Sequence, residues 1–156
     1  MKHRFLFFLP VLFLLIFTAC QFSEVFSEFR DLPEKGWNRY DTLVFRPQIN
    51  EQANYNLFID TRNNNQYQYQ NLWLFISCQE DTMTLFTDTV EIELADKQGK
   101  WYGSGWGSLY TNATPYKMNY KFPAESKKYT FRIVQGMRDY ELKGMESVGF
   151  RIEKTK

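Results

Sequence analysis

"MTLFTDTVEIELA", residues 83–95, decides the fold. Its second half alternates strictly, with Val90, Ile92 and Leu94 set against Thr89, Glu91 and Glu93. Side chains two residues apart share one face of a strand, so the segment reads as a strand with one apolar and one polar face. The same period extends outward in both directions. Upstream, "NLWLFISCQ" (71–79) places Leu72, Leu74, Ile76 and Cys78 on one face. Its centre is apolar on both faces, as expected of a central strand. "NYNLFIDTR" (54–62) alternates Tyr55, Leu57 and Ile59, and "TLVFRPQI" (42–49) carries Pro47, which predicts an edge or a bulge. Downstream come a short "KWYGSG" (100–105), then "YKMNYKF" (116–122) after a polar loop, "KYTFRIVQGM" (128–137) and "SVGFRIEK" (147–154). Turn-forming residues separate them: Asn63-Asn64-Asn65, Asp96 to Gly99, and Pro115. About seven to eight short alternating strands predict an all-β fold, a single antiparallel β-sandwich over residues 41–156.

The chain begins differently. Lys2, His3 and Arg4 precede an apolar run from Phe5 to Phe17, which stops at Thr18-Ala19-Cys20. A membrane-spanning helix needs roughly 20 apolar residues, so this run is too short. A basic start, a short apolar middle and a small-residue exit make a secretory signal peptide. The cysteine directly after the expected cut resembles the bacterial lipoprotein signal, which makes Cys20 the lipidation site. The expected organisation is a removed signal peptide at 1–19, a lipidated tether at 20–40 and the sandwich at 41–156. Within the tether, Phe22, Val25, Phe26 and Phe29 sit at helical spacing and predict a short amphipathic helix before Pro33 and Gly36. Gln21 stands where an acidic residue would favour inner-membrane retention in some bacteria, and no acidic run follows Cys20. These features point to a lipid-anchored protein of the outer membrane, facing the periplasm.

The residue inventory narrows the chemistry. Lys2 and Arg4 leave with the signal, so 17 basic side chains face 18 acidic ones. That balance argues against nucleic acid as a partner. Residues 20–110 carry 7 basic and 13 acidic groups, and residues 111–156 carry 10 and 5, a split that strands mixed in one fold would neutralise. Of two cysteines only Cys78 remains after lipidation, so no internal disulfide can form. Cys78 closes an apolar strand face and reads as a packed thiol. The single histidine, His3, is lost with the signal. Histidine-dependent nucleophilic sites and His-ligated zinc therefore fall away. "GSGWG" (103–107) lacks the Lys-Ser/Thr of a phosphate loop. Glu91 and Glu93, on one strand face about 6.5–7 Å apart, are a carboxylate pair at a spacing some glycosidases use. Alternating acids on a solvated strand are common, however. No catalytic residue, metal or cofactor is expected.

Aromatics are the stronger signal. "NQYQYQNLW" (65–73) and "WYGSGWGSLY" (101–110) mix Tyr and Trp with Gly, Asn and Gln. Such stretches suit protein interfaces, sugar stacking, or the wet rim of a core. The segment "RNNNQYQY" (62–69) is longer than a plain hairpin needs and holds no glycine. Arg62, Asn64, Tyr67 and Tyr69 are its candidate partner contacts, since Tyr and Arg are enriched at binding hot spots. Folding of the tyrosines over the core edge is the competing reading.

Several strings together resemble a known family. They are "GW" (36–37), "YNLFIDTRNNNQYQYQNLWLF" (55–75), "DTVEIELAD" (88–96), "GKWYGSG" (99–105), "FP" (122–123), "YTFRIVQGMR" (129–138) and "VGFRIEK" (148–154). The chain resembles the GldH gliding motility lipoproteins of Bacteroidetes. That resemblance implies a non-enzymatic envelope lipoprotein, an accessory or assembly factor of the gliding and type IX secretion machinery, with other envelope proteins as partners. A glycan-binding lipoprotein is the alternative. "DTL" (41–43), "DTM" (81–83) and "DTV" (88–90) resemble the O-glycosylation sequon of Bacteroidetes envelope proteins, which makes Thr42, Thr82 and Thr89 candidate sites.

Overall fold

The computed structural model describes residues 24–123 and 127–155. Within them eleven strands appear: β1 (Glu24–Asp31), β2 (Trp37–Asn38), β3 (Leu43–Phe45), β4 (Gln48–Ile49), β5 (Tyr55–Asn64), β6 (Asn71–Glu80), β7 (Met83–Glu93), β8 (Leu109–Tyr120), β9 (Lys127–Gln135), β10 (Glu141–Leu142) and β11 (Met145–Lys154). One antiparallel sheet runs β1-β11-β5-β8; the other runs β3-β9-β6-β7, with β4 continuing beside β9. β2 and β10 form a two-stranded ribbon at one end.

The alternation seen in the sequence becomes the core. Leu57 and Ile59 of β5 and Val148, Phe150 and Ile152 of β11 face Leu72, Leu74, Ile76 and Cys78 of β6 and Phe131 and Ile133 of β9, all fully buried. Phe131 and Phe150 meet across the two sheets at 4.3 Å between ring centres. Each such side chain contributes about 1.5–3 kcal/mol by leaving water. Side chains close the two flanks. On one, the Arg30 guanidinium donates to the Val44 carbonyl at 3.1 and 3.3 Å, tying β1 to β3. On the other, Asp88 of β7 accepts from the Tyr116 hydroxyl at 2.6 Å and pairs with Lys117 of β8 at 2.7 Å. Tyr116 and Lys117 hold the Asp88 carboxyl below its ordinary range, against a burial effect that acts to raise it.

Three expectations change. Residues 24–31 form a strand, not a helix, so the sandwich begins inside the segment 20–40 expected as a tether. Phe26 and Phe29, three apart, point to opposite faces of that strand and both find cover. Phe26 packs near Phe150 at 6.3 Å, and Phe29 lies over Gly149, where any Cβ would stand 2.9 Å from its ring. Seven residue pairings with β11 outweigh a local helix too short to stand alone. "KWYGSG" makes only isolated bridges, Ala95 to Trp101 and Ser104 to Thr111. Finally, β8 starts at Leu109 and runs through Pro115, the residue expected in a link. Pro115 sits at a bulge on the sheet's last strand, where no amide donor is needed. Pro47 behaves as expected. It separates β3 from β4, and its carbonyl accepts from the Tyr129 amide at 2.9 Å.

Candidate interaction surface

Cys20 lies outside the described residues, so the candidate surface is built from the sandwich itself. The segment 62–69 is positioned by its first asparagines. Asn64 ends β5; its amide donates to the Gly144 carbonyl at 2.8 Å, and its Oδ1 accepts from the Gln66 amide at 2.7 Å. The Tyr67 amide then donates to the Asn64 carbonyl at 3.1 Å, which closes a tight turn. Asn64 Nδ2 also donates to the Glu146 carboxylate. Gly144, with φ of +79°, lets the β10–β11 turn press against this one; a Cβ there would stand 2.1 Å from the Tyr67 amide nitrogen.

That close approach turns Tyr67 inward. It is 4% exposed, and its hydroxyl donates to the Asn71 carbonyl at 2.8 Å. Its ring meets Tyr69 at 5.9 Å and Trp101 at 6.4 Å. Burial pushes its hydroxyl well above the ordinary tyrosine range, helped by Tyr69 and Asp139. Tyr67 is therefore a core residue and offers a partner no contact area, which corrects the expectation for that position. Arg62 is also engaged, its guanidinium 4.1 Å from the centre of the Phe29 ring. Only Tyr69, of the four candidate contacts, keeps a half-open ring beside an open cavity. Its hydroxyl donates to Asp139 at 2.8 Å, and that bond, ahead of burial, raises its pKa.

Tyr69 leads onto the outer face of β6. Trp73 and Phe75 point away from the core and are 37% and 49% exposed. β6 is central in its sheet, between β9 and β7. Its neighbours on the outer face are set by register: Phe75 lies beside Val134 on one side and Thr89 on the other, Trp73 beside Glu91. Gly136 lets the Phe75 ring and the Trp73 Cβ lie close against its bare backbone, since a Cβ there would sit 3.1 Å from the Phe75 ring and 3.3 Å from the Trp73 Cβ. The Met137 sulfur accepts from the Trp73 amide at 3.3 Å. A cavity of about 350 Å³ is lined by Tyr69, Asn71, Trp73, Gly136, Met137 and Arg138. A second, of about 180 Å³, lies between Phe75, Val134 and Arg132. The aromatic strip from Tyr69 through Trp73 to Phe75 thus runs between two open hollows with guanidinium groups at their margins.

Glu91 and Glu93 are both solvent-exposed on β7, and Asn71 donates to Glu91 at 2.6 Å. With Tyr102 they line an open groove of about 330 Å³. An open groove does not exclude water from a reaction. No group of side chains among the described residues could hold a metal ion. In "WYGSGWGSLY", Trp101 packs against Tyr110 at 5.6 Å, while Tyr102 and Trp106 stand 55% and 92% exposed. Thr42, Thr82 and Thr89 all lie exposed.

Comparison with known proteins adds identity to this geometry. A family model described as GldH lipoprotein matches residues 24–152. The gliding motility lipoprotein GldH homolog of Christiangramia forsetii is 34% identical over 163 residues, covering 99% of both chains. The gliding motility lipoprotein GldH of Flavobacterium johnsoniae is 29% identical over 143 residues, covering 86% of this chain and 87% of that one. Among solved structures, an arabinose-bound α-L-arabinofuranosidase superposes with a TM-score of 0.36 at 10% identity, over 81% of this chain and 19% of that one. Dimeric latent PorU of Porphyromonas gingivalis gives 0.29 at 9% identity, over 88% and 14%. Both superpositions are too loose to bear on function. The family match spans the sandwich from its first strand into its last, and the chain belongs to the GldH lipoprotein family.

Proposed function

We propose that this chain is a cell-envelope lipoprotein of the gliding motility apparatus, anchored through Cys20, that acts by protein contact and not by catalysis. The observation that carries the contact is the open outer face of β6. An antiparallel sheet with one wet face ordinarily alternates apolar and polar residues. β6 instead places Trp73 and Phe75 on the wet face, beside Val134. Contiguous exposed aromatics with polar rims mark interaction sites, and Trp and Arg are enriched at binding hot spots. The partner is another envelope protein of the motility and type IX secretion machinery, met from the periplasmic side of the outer membrane.

The double substitution Trp73→Thr with Phe75→Thr keeps β-forming residues in place and removes the aromatic face. In the native organism the variant is expected to accumulate normally while gliding or secretion fails. Normal gliding and secretion with a stable variant would refute the reading. One observation favours a second reading: Tyr69 and Trp73 share a cavity with Asn71 and Arg138, a pairing of rings and polar groups that fits a sugar. Calorimetric titration with envelope oligosaccharides distinguishes the two, because a glycan binder gives saturable heat that the double variant loses.

A further inference from the structure

The position of β1 fixes how the domain meets the membrane. Glu24 already pairs with Glu153, and Cys20 precedes it by four residues. Four peptide steps reach at most about 14 Å. β5 has 10 residues, so the strands carry the far end of the sandwich roughly 30 Å away. The end that holds Glu24 also holds the last residues of β8 and β11, the first of β5 and β9, and the β6–β7 hairpin. Its aromatics are turned inward: Tyr55, Phe122 and Tyr129 are buried and pack in a row at 5.7 and 4.6 Å. Its exposed side chains include Met83 and Asp81 at the hairpin, Glu24, the pair Glu51 and Lys154, and Lys121, Lys127 and Lys128. Lys127 faces Glu80 and Asp81 at 3.7 and 3.8 Å, while Lys121 and Lys128 have no carboxylate partner among the described residues. The opposite end differs. There Tyr40, Tyr102, Trp106 and Tyr140 are each more than half exposed.

We infer that the Met83, Lys121 and Lys128 end of the sandwich rests on the phospholipid headgroups, and that the Tyr40, Trp106 and Tyr140 end stands away from the bilayer. The inference rests on Cys20 as the anchor. Lysine ammonium groups donate to lipid phosphates, and methionine, long and unbranched, reaches the ester level without leaving an unpaired polar group. The short link holds the Glu24 end within about 14 Å of the bilayer surface, and an upright sandwich then carries the far end away from it.

The test uses the lipidated mature protein reconstituted in phosphatidylethanolamine–phosphatidylglycerol vesicles. Met83→Cys and Trp106→Cys are labelled singly with a small fluorophore; buried Cys78 does not compete. A nitroxide on the lipid headgroup is expected to quench the label at 83 several-fold more than the label at 106. Equal quenching, a stronger effect at 106, or none at 83 overturns the orientation. The mature Cys20→Ala chain, made without residues 1–19 so that no apolar signal remains, is mixed with the same vesicles and tests the anchor separately. Its absence from the vesicles upholds the anchor, and its retention at the wild-type level overturns both.

Discussion

Gly136 stands against Phe75: a Cβ at position 136 would come within 3.1 Å of the ring. The bare backbone lets an exposed aromatic lie along the neighbouring strand. Gly136→Ala is expected to push the ring outward and away from its place, because Phe75 is half-exposed and free to move. The stability change is expected to be small, about 1 kcal/mol or less. Urea unfolding together with a gliding assay checks this: the unfolding midpoint is expected to hold while gliding weakens.

Tyr67 supplies the opposite case. Tyr67→Phe removes the hydroxyl that donates to the Asn71 carbonyl and is expected to cost about 1 kcal/mol. Tyr67→Ser empties a core site beside Tyr69 and Trp101 and is expected to cost about 3 kcal/mol or more. Denaturant midpoints of the two variants measure the difference. Equal midpoints would mean that the ring is not packed.

Much of this fold is legible in the sequence, and the exceptions share a cause. Val148, Phe150 and Ile152 alternate in the chain and are all buried in the structure. The strand character of β6 is equally plain, but its two apolar faces do not reveal that one stays open. Local pattern reports how a strand divides its residues, and only the arrangement of layers decides which face is covered. Phe26 and Phe29 mislead because three-residue spacing suits a helix when their cover, Phe150 and Gly149, is more than a hundred residues away in sequence. Asp60 reads in the sequence only as part of a strand. Arg151 donates to it at 3.0 and 3.3 Å, a pair that depends on the register of β5 with β11. Tyr67 turns inward because Gly144 presses on its backbone, an approach of two turns that sequence spacing does not encode.

Cys78 gives a pH dependence. Burial pushes its thiol up from 9.0 to about 12. The folded state therefore keeps the proton that the unfolded chain releases. Its contribution to stability is complete below pH 9 and is lost as the pH rises from 9 toward 12. Cys78→Ala is expected to flatten part of that alkaline decline, measured by thermal unfolding across this range. In the native protein a thiol reagent is expected to react slowly, and in urea quickly.

The exposed hydroxyls of Thr42, Thr82 and Thr89 are proposed to include at least one O-glycosylated site. Intact-mass measurement on protein from the native organism is expected to exceed the mass of the chain plus lipid. The excess should disappear in the matching Thr→Ala variant. A mass equal to chain plus lipid rules out glycosylation at all three.

The contact role of the β6 outer face is tested most directly by photocrosslinking in living cells. A benzoylphenylalanine at position 75 lies at the centre of the proposed surface, and one at position 113, exposed on β8 of the other sheet, serves as the control. A discrete crosslinked envelope protein is expected from position 75, absent from position 113 and lost when Trp73→Thr is added. No crosslink at 75, or the same product from both positions, would contradict that role.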